Sequence, residues 1–127
     1  MNDPRIHENF SNALAKLQEF VAMPIENERD RAGVIQAFEF TFEQCWKVFQ
    51  RILVAEGHEA HSPRESLEGA VKLELIKAAD EETWLQMLRD RNLTSHLYHE
   101  KLAAQISDRI VKDYLPLLTA IQNSLLK

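Results

Sequence analysis

The 127 residues of the chain suffice for one domain with a buried core, so neither a disulfide nor a structural metal is needed to stabilise it. Apolar residues make up 45% of the sequence, whereas three glycines and four prolines provide too few turns for a β-fold. The net charge of −5 argues against a broad basic surface that holds long nucleic acid, although contact with a few phosphates stays open. We therefore expect a single all-α domain over residues 1–127.

Cysteine usage and hydropathy indicate the compartment. The one cysteine, Cys45, cannot form an intramolecular disulfide. No stretch reads as a signal peptide or reaches the ~18 consecutive apolar residues of a membrane span. The sequence therefore predicts a cytoplasmic protein without a membrane-spanning helix.

Apolar side chains at three- and four-residue spacing predict two helices in the N-terminal half. The first runs from about Arg5 to Ala22 and ends before Pro24. The second begins after Asn27, which is a favoured N-cap residue. It continues to Gly57, where a left-handed residue would end it.

The second helix carries the widest apolar surface. At about 100° per residue its apolar side chains cover an arc of roughly 160°, which is too wide for a single neighbouring helix. The arc contains Val34, Ile35, Phe38, Phe42, Cys45, Trp46, Val48, Phe49, Ile52 and Leu53. This pattern predicts a central helix with at least two neighbours. Phe40 lies among the polar residues of the other side, which indicates either a partner surface or an isolated exposed aromatic residue.

Capping signals predict the next two helices. Ser62, Pro63 and Glu65 form a capping box with proline in the first helical position, so a third helix starts there. Its inward residues are Leu67, Ala70, Val71 and either Leu73 or Leu75. Asp80 is expected to cap a fourth helix that contains the apolar residues Trp84, Leu85, Met87 and Leu88.

A break is predicted between Asn92 and Ser95, because these side chains compete for backbone hydrogen bonds. A long last helix follows from about His99 towards Lys127, with a kink near Pro116. Its inward residues are Leu102, Ile106, Ile110, Val111 and Tyr114. The elements together predict an antiparallel up-and-down bundle of four to five helices.

Several features with potential chemistry have simpler explanations. His58 with His61, and His96 with His99, lack the acidic or thiol companions of a metal site, so no metal or other cofactor is predicted. Cys45 lies in the apolar arc, which favours a buried thiol over a reactive one. The chain also lacks a Gly-rich phosphate loop and an Asp-x-Asp pair, which excludes a self-contained metal-dependent nucleotide transferase.

The segment from Arg91 to Tyr98 concentrates polar groups where the fourth helix breaks. On an unbroken helix Arg91 and His96 would point about 140° apart, so their cooperation needs the break or a second subunit. Taken alone, these residues also fit a solvated helix end, where Arg, His and Tyr bind the last carbonyl groups.

Arg91, His96 and Tyr98 follow the pattern Arg-x4-His-x-Tyr, which resembles the signature of HEPN domains, small all-helical proteins of which many are ribonucleases. The similarity is strongest to the nucleotidyltransferase substrate-binding-like branch, the HEPN half of HEPN/MNT toxin-antitoxin pairs. It extends over the blocks FEFTFEQCWKVFQ, HSPRESLEGAV and WLQMLRDRNLTSHLYHE, and covers the chain from about Asp30 to Glu100.

The resemblance implies a HEPN-like bundle that forms a homodimer and brings two motifs into one cleft. It assigns Arg91 and His96 to catalysis of metal-independent RNA cleavage. It also implies a partner, a minimal nucleotidyltransferase (the MNT antitoxin), which silences the ribonuclease by adding AMP to Tyr98. Asn92 adjoins the motif and is assigned a supporting role, orienting a phosphate.

The residue types suit this reaction. A histidine that titrates near neutrality can transfer the protons, and a permanently charged, planar guanidinium can hold the phosphate. The cleft is then expected to be locally positive through Arg89, Arg91 and Lys101. The alternative function is a non-catalytic subunit that binds a nucleotide or another substrate for a separate nucleotidyltransferase.

Overall fold

The computed structural model describes residues 4–94 and 99–125, and the regular structure in these ranges is helical. The helices are α1 (Pro4–Val21), α2 (Glu28–Ala55), α3 (Pro63–Lys72), α4 (Glu81–Leu93), α5 (Glu100–Arg109) and α6 (Leu115–Leu125). A 3-10 helix (Ala78–Asp80) precedes α4, and a π-helical segment (Ile110–Tyr114) joins α5 to α6 without interruption. Because α5, the π-helical segment and α6 form one continuous rod, the last rod, the described residues make five helical rods in an antiparallel bundle. This confirms the predicted all-α fold.

The ends of α2 follow the predicted signals. The Asn27 side chain accepts a hydrogen bond from the backbone N–H of Asp30 at 2.9 Å, as an N-cap residue does. Asp30 in turn accepts a hydrogen bond from the backbone N–H of Glu26 at 2.9 Å. Beyond the last turn, Gly57 has a φ of +86°, a conformation that glycine adopts without steric cost. Local chemistry therefore sets both ends of the central helix.

Helix α2 lies at the centre of the bundle and contacts α1, α3, α4 and α5, as its wide apolar arc predicts. Of the arc residues, Trp46 and Ile52 are half-buried and the other eight are buried. The buried Thr41 was not predicted: its hydroxyl oxygen lies 2.7 Å from the carbonyl of Ala37 and 3.0 Å from that of Ala13, which links α1 to α2. Phe40 is 57% exposed, in agreement with its place on the polar side.

The start of α3 is confirmed, whereas the predicted cap of α4 is wrong. Ser62 Oγ accepts a hydrogen bond from the Glu65 backbone N–H at 3.1 Å. The Glu65 carboxylate accepts from the backbone N–H of His61 at 2.8 Å, one residue earlier than in a standard capping box. Asp80 instead belongs to the 3-10 helix, and its φ of −96° and ψ of −3° differ from the extended backbone of a capping residue.

The irregularity predicted near Pro116 takes the form of the π-helical segment. Proline has no N–H group, and in an α-helix its ring collides with the carbonyl four residues earlier, here that of Lys112. The backbone widens just before this point: the Leu115 N–H donates to the carbonyl of Ile110, five residues earlier. No helix among the described residues has both the length and the hydropathy of a membrane span.

One inward residue of the last rod was predicted wrongly. Ile106, Ile110 and Tyr114 are fully buried at four-residue spacing, whereas Val111 is 37% exposed. Val111 follows Ile110 by one residue and so lies beside the buried stripe rather than on it.

Candidate active site

Arg91 lies in the last turn of α4 and its side chain faces α2. Its Nη2 is 3.8 Å from Glu43 Oε2, and the Arg91 side chain is 34% exposed. The same Glu43 oxygen accepts a hydrogen bond from Trp46 Nε1 at 3.0 Å. A long ion pair between half-exposed groups contributes less than about 1 kcal/mol to stability. The contact therefore holds the guanidinium only weakly. Because this group has five N–H donors, it keeps capacity to bind a ligand.

Thr94 follows α4 and ties its end to α2. Its hydroxyl oxygen lies 2.7 Å from Glu39 Oε2 and 2.7 Å from the carbonyl of Arg91, and its single proton is donated to one of them at a time. His99, directly before α5, has an extended backbone with φ −112° and ψ 120°. The fourth and last helices are therefore separate, as predicted, but α4 continues through Leu93, past the predicted start of the break at Asn92, and Ser95 lies outside the described residues.

The other predicted site residues are divided between described and undescribed parts of the chain. Asn92 is exposed in the last turn of α4, next to Arg91. His96 and Tyr98 lie in the segment 95–98, outside the described residues. Their catalytic and modification roles stay predictions, as does the supporting role of Asn92.

A cleft of about 370 Å³ opens between α2 and α5. Thr94 and His99, the described residues before and after positions 95–98 in the sequence, both line this cleft, and α2 forms its other wall. The apolar part of the lining consists of Ala32, Ile35 and Ala103, and the charged part of Glu28, Glu39, Glu100 and Arg31. Among the described residues that line this cleft, carboxylates therefore outnumber basic groups.

The sequence predicted a cleft that is positive through Arg89, Arg91 and Lys101, but the described lining of this cleft is mainly acidic. Arg89 faces away on α4, where its Nη2 donates to Glu82 Oε1 and to Gln86 Oε1, each at 2.8 Å. Lys101 is exposed on α5, outside the lining of the cleft. Of these three basic residues, Arg91 is the one that contacts α2, at the end of α4. A positive cleft formed by all three residues is not present in the described part of the chain.

Asp90, directly before Arg91, was missed by the sequence analysis and is the most extensively bonded carboxylate of the region. It is 0% exposed. Arg109 donates to both of its oxygens at 2.8 Å, the Tyr114 hydroxyl donates at 2.5 Å, and the Gln86 amide donates at 3.2 Å. A detectable signal existed, because Asp90 continues the three-residue spacing of the buried Trp84 and Met87. A carboxylate at such a position needs a buried partner.

Burial and the hydrogen bonds to Asp90 determine the protonation states of Arg109 and Tyr114. The hydrogen bond to Asp90 raises the pKa of Arg109 further above its already high value. Burial, and then the hydrogen bond to Asp90, raise the pKa of Tyr114. The cluster is thus a neutral ion pair with a phenol that stays protonated. Burial also raises the pKa of the Cys45 thiol, which is fully enclosed in the core and agrees with the predicted packing role.

Among the residues that the structure describes, no group of three or more His, Cys, Asp or Glu side chains is arranged to hold a metal ion.

Comparison with known proteins shows the family of the chain. Residues 5–127 match the family described as nucleotidyltransferase substrate binding protein like. The chain belongs to this family. A protein of known crystal structure, from Thermus thermophilus, is 34% identical, with 93% of this chain and 99% of that one covered and a TM-score of 0.85. No curated protein matches the sequence.

A second solved structure identifies the fold. It is a tri-AMPylated HEPN toxin of Shewanella oneidensis in complex with MNT antitoxin. The identity is 18%, the match covers 99% of this chain and 98% of that one, and the TM-score is 0.80. At this identity the likeness shows the fold alone, so the family member described here has the HEPN fold. The resemblance drawn from the sequence motif is thereby confirmed at the level of family and fold.

Proposed function

We propose that this protein is a metal-independent ribonuclease toxin of the HEPN/MNT kind, in which Arg91 and His96 are catalytic. The observation that carries the proposal is the placement of Arg91. Arg91 lies in the last turn of α4, five residues before His96 and seven before Tyr98 in the sequence. Among the described residues, its half-exposed guanidinium has only a 3.8 Å contact with Glu43, which leaves donors for a phosphate. The Shewanella protein of the same fold, itself a toxin found with MNT antitoxin, supports the proposal.

The proposed reaction needs two proton transfers and one charge stabiliser. A base removes the proton of the ribose 2′-hydroxyl, and that oxygen attacks phosphorus. The bond from phosphorus to the 5′-oxygen then breaks, and an acid protonates the leaving oxygen, giving a 2′,3′-cyclic phosphate and a 5′-hydroxyl. In a homodimer the two copies of His96 divide these acid and base roles. Arg91 holds the phosphate oxygens as negative charge develops on them.

Control by a minimal nucleotidyltransferase is the second part of the proposal. The phenol oxygen of Tyr98 attacks the α-phosphorus of ATP, the bond to the β-phosphate breaks, and pyrophosphate leaves while the phenolic proton passes to solvent. The attached AMP places negative charge two residues from His96, where the RNA phosphate must bind. Modification would therefore inhibit cleavage both sterically and electrostatically.

The test of catalysis is RNA cleavage by the purified protein in the presence of a chelator. The proposal predicts cyclic-phosphate products from the wild type and none above background from His96→Ala. Equal activity of the two proteins would refute the catalytic assignment. Circular dichroism of the variant establishes that it is folded.

The test of regulation is mass spectrometry after incubation with the partner transferase and ATP. The chain has two tyrosines, and the second, Tyr114, is fully buried and serves as an internal control. We expect added AMP on a peptide that contains Tyr98, and none on the Tyr98→Phe variant. AMP found on another residue would overturn this assignment.

A second candidate function is a non-catalytic subunit that binds a nucleotide for a separate transferase. The family description, which names substrate binding, and the 370 Å³ cleft favour it. Tight nucleotide binding together with no RNA cleavage by the wild type would support this candidate against the ribonuclease.

A further inference from the structure

The cleft between α2 and α5 lies next to the end of α4, the helix that carries Arg91. Thr94 and His99, the described residues on either side of segment 95–98, both line it. Thr94 also contacts the carbonyl of Arg91 at 2.7 Å, so the cleft begins within one turn of the predicted phosphate-binding residue. If Arg91 holds the scissile phosphate, as proposed above, a group bound in the cleft lies close to that phosphate.

The size and lining of the cleft suit a flat ring. Its volume of about 370 Å³ is at the lower end of the range for small-molecule sites, roughly 300 to 1,000 Å³. Arg31, Ile35 and Glu39 follow one face of α2 at four-residue spacing, so this wall is about 12 Å long at ~1.5 Å per residue. Ile35, Ala32 and Ala103 supply apolar surface on which an aromatic ring can pack. One nucleoside fits these dimensions.

The charged groups restrict the ligand further. Three carboxylates, those of Glu28, Glu39 and Glu100, line the cleft. An ionised carboxylate accepts hydrogen bonds and repels phosphate. Glu39 is the half-buried member of the three, and Thr94 uses one of its oxygens while the carboxylate retains further acceptor capacity. The ligand must therefore present N–H donors to this wall rather than anionic oxygens.

Arg31 supplies the opposite requirement at the other end of the wall. Arg31 lines the cleft, and its guanidinium carries N–H donors but no acceptor. Its buried Nε has no hydrogen-bond partner among the described residues, so this atom does not commit the group to another side chain. An acceptor atom on a ligand in the cleft can therefore accept a hydrogen bond from this guanidinium. The ligand thus needs adjacent N–H donors for Glu39 and an acceptor for Arg31.

We propose that the cleft binds one amino-bearing nucleobase of the RNA substrate, with guanine the best match, through Glu39 and Arg31. Guanine presents two neighbouring N–H donors that one carboxylate can accept, together with a carbonyl oxygen for a guanidinium. Uracil lacks an amino group and places carbonyl oxygens on both sides of its single N–H donor. This inference rests on the proposed function, since it names the base beside the cleaved linkage.

The first experiment measures binding by calorimetry of the wild-type protein with GMP, AMP, CMP and UMP. GMP is expected to bind at least tenfold more tightly than UMP, with the other amino-bearing nucleotides between them. Equal affinities for GMP and UMP would overturn the proposal. Because no cleavage is needed, this result is independent of the ribonuclease assignment.

The second experiment changes the proposed base-reading group. In Glu39→Gln the amide oxygen can still accept from Thr94, but an N–H₂ group replaces one acceptor. The ratio of GMP to UMP affinity should fall at least fivefold, whereas the exposed control Glu8→Gln on α1 should keep it. An unchanged ratio in folded Glu39→Gln would contradict the proposal. If Glu39→Gln does not fold, Arg31→Lys, which removes the planar guanidinium but keeps the charge, must weaken GMP binding at least threefold for the proposal to stand.

A third measurement separates this inference from the proposed function. The bases next to cleavage sites are sequenced from RNA cut by the wild type and by Glu39→Gln. Cleavage without any base preference would refute the base pocket and leave the ribonuclease intact. Selective GMP binding without cleavage would support the pocket and refute the ribonuclease.

Discussion

Asp90 and Arg91 are neighbours in the sequence, yet their side chains lie in opposite environments. Asp90 is fully buried, and four donors from three residues surround its two oxygens. Arg91 is one-third exposed, and its contact with Glu43 is 3.8 Å long. Successive residues of a helix point about 100° apart, so the same turn faces both the core and the candidate site.

The difference assigns separate roles to the two sides of this turn. The buried side is satisfied by its own partners and therefore fixes the rotation of α4 against the last rod. The exposed side keeps hydrogen-bonding capacity that a ligand can use. A rigid element with a satisfied buried anchor is what a catalytic side chain needs to stay in place. The comparison predicts that substitutions on the buried side affect mainly stability, and those on the exposed side mainly activity.

The largest expected effect on stability is that of Asp90→Ala. Removing one partner of a buried ion pair leaves Arg109 and Tyr114 without their acceptor, which costs about 3 kcal/mol. Urea unfolding measures the change. The control is Asp108→Ala, an exposed carboxylate on α5, which we expect to change stability by less than about 0.5 kcal/mol. Similar stabilities of the two variants would show that the buried cluster is not an anchor.

A smaller effect is expected for Tyr114→Phe, which removes one donor to Asp90 and destabilises the protein by about 1.5 kcal/mol at neutral pH. The folded pKa of Tyr114 is raised above the ordinary value of 10.0, so its contribution is complete below that pH and is lost as the pH rises beyond it. Urea unfolding between pH 7 and 11 should therefore show the gap between wild type and variant narrowing above about pH 10. A gap that widens there would contradict the sign of the shift.

The smallest effect is expected on the exposed side. Thr94→Val removes the hydroxyl that contacts Glu39 and should destabilise the protein by only about 0.5 kcal/mol, because the site is half-exposed and water can replace the bond. Thr119→Val, which removes the acceptor of a 3.3 Å hydrogen bond from Gln18, is the matched control. A loss as large as that of Asp90→Ala would mean that both sides of the turn are structural.

The fold was predictable because its determinants are local. Apolar spacing predicted the central helix, and the side chains of Asn27 and Ser62 cap the helices that the sequence assigned to them. Asp80 was predicted wrongly because it belongs to a 3-10 helix, and Val111 because it lies beside the buried stripe of Ile106, Ile110 and Tyr114, in the π-helical segment. Such turns depend on tertiary packing, which spacing alone does not report.

The candidate site was predictable only in part. The motif position of Arg91 could be named through a family resemblance, and the structure places it at the end of α4 against α2. Arg31 and Glu39 belong to no motif. Glu39 contacts Thr94, and both share a cleft with Arg31, only because α4 ends against α2. The acidic character of the cleft therefore emerged from the tertiary structure. The acidic wall of α2, which we propose binds a base, is therefore distinct from the predicted phosphate-binding residue Arg91.

The most direct test of the account compares Arg91→Ala with Arg89→Ala, two substitutions of the same type two residues apart on α4. Arg89 pairs with Glu82 on the exposed face, so each variant should lose less than about 1 kcal/mol of stability. RNA cleavage in the presence of a chelator should fall at least about 100-fold in Arg91→Ala and stay near the wild-type rate in Arg89→Ala. Equal cleavage rates of the two folded variants would contradict the central claim that Arg91 belongs to the active site.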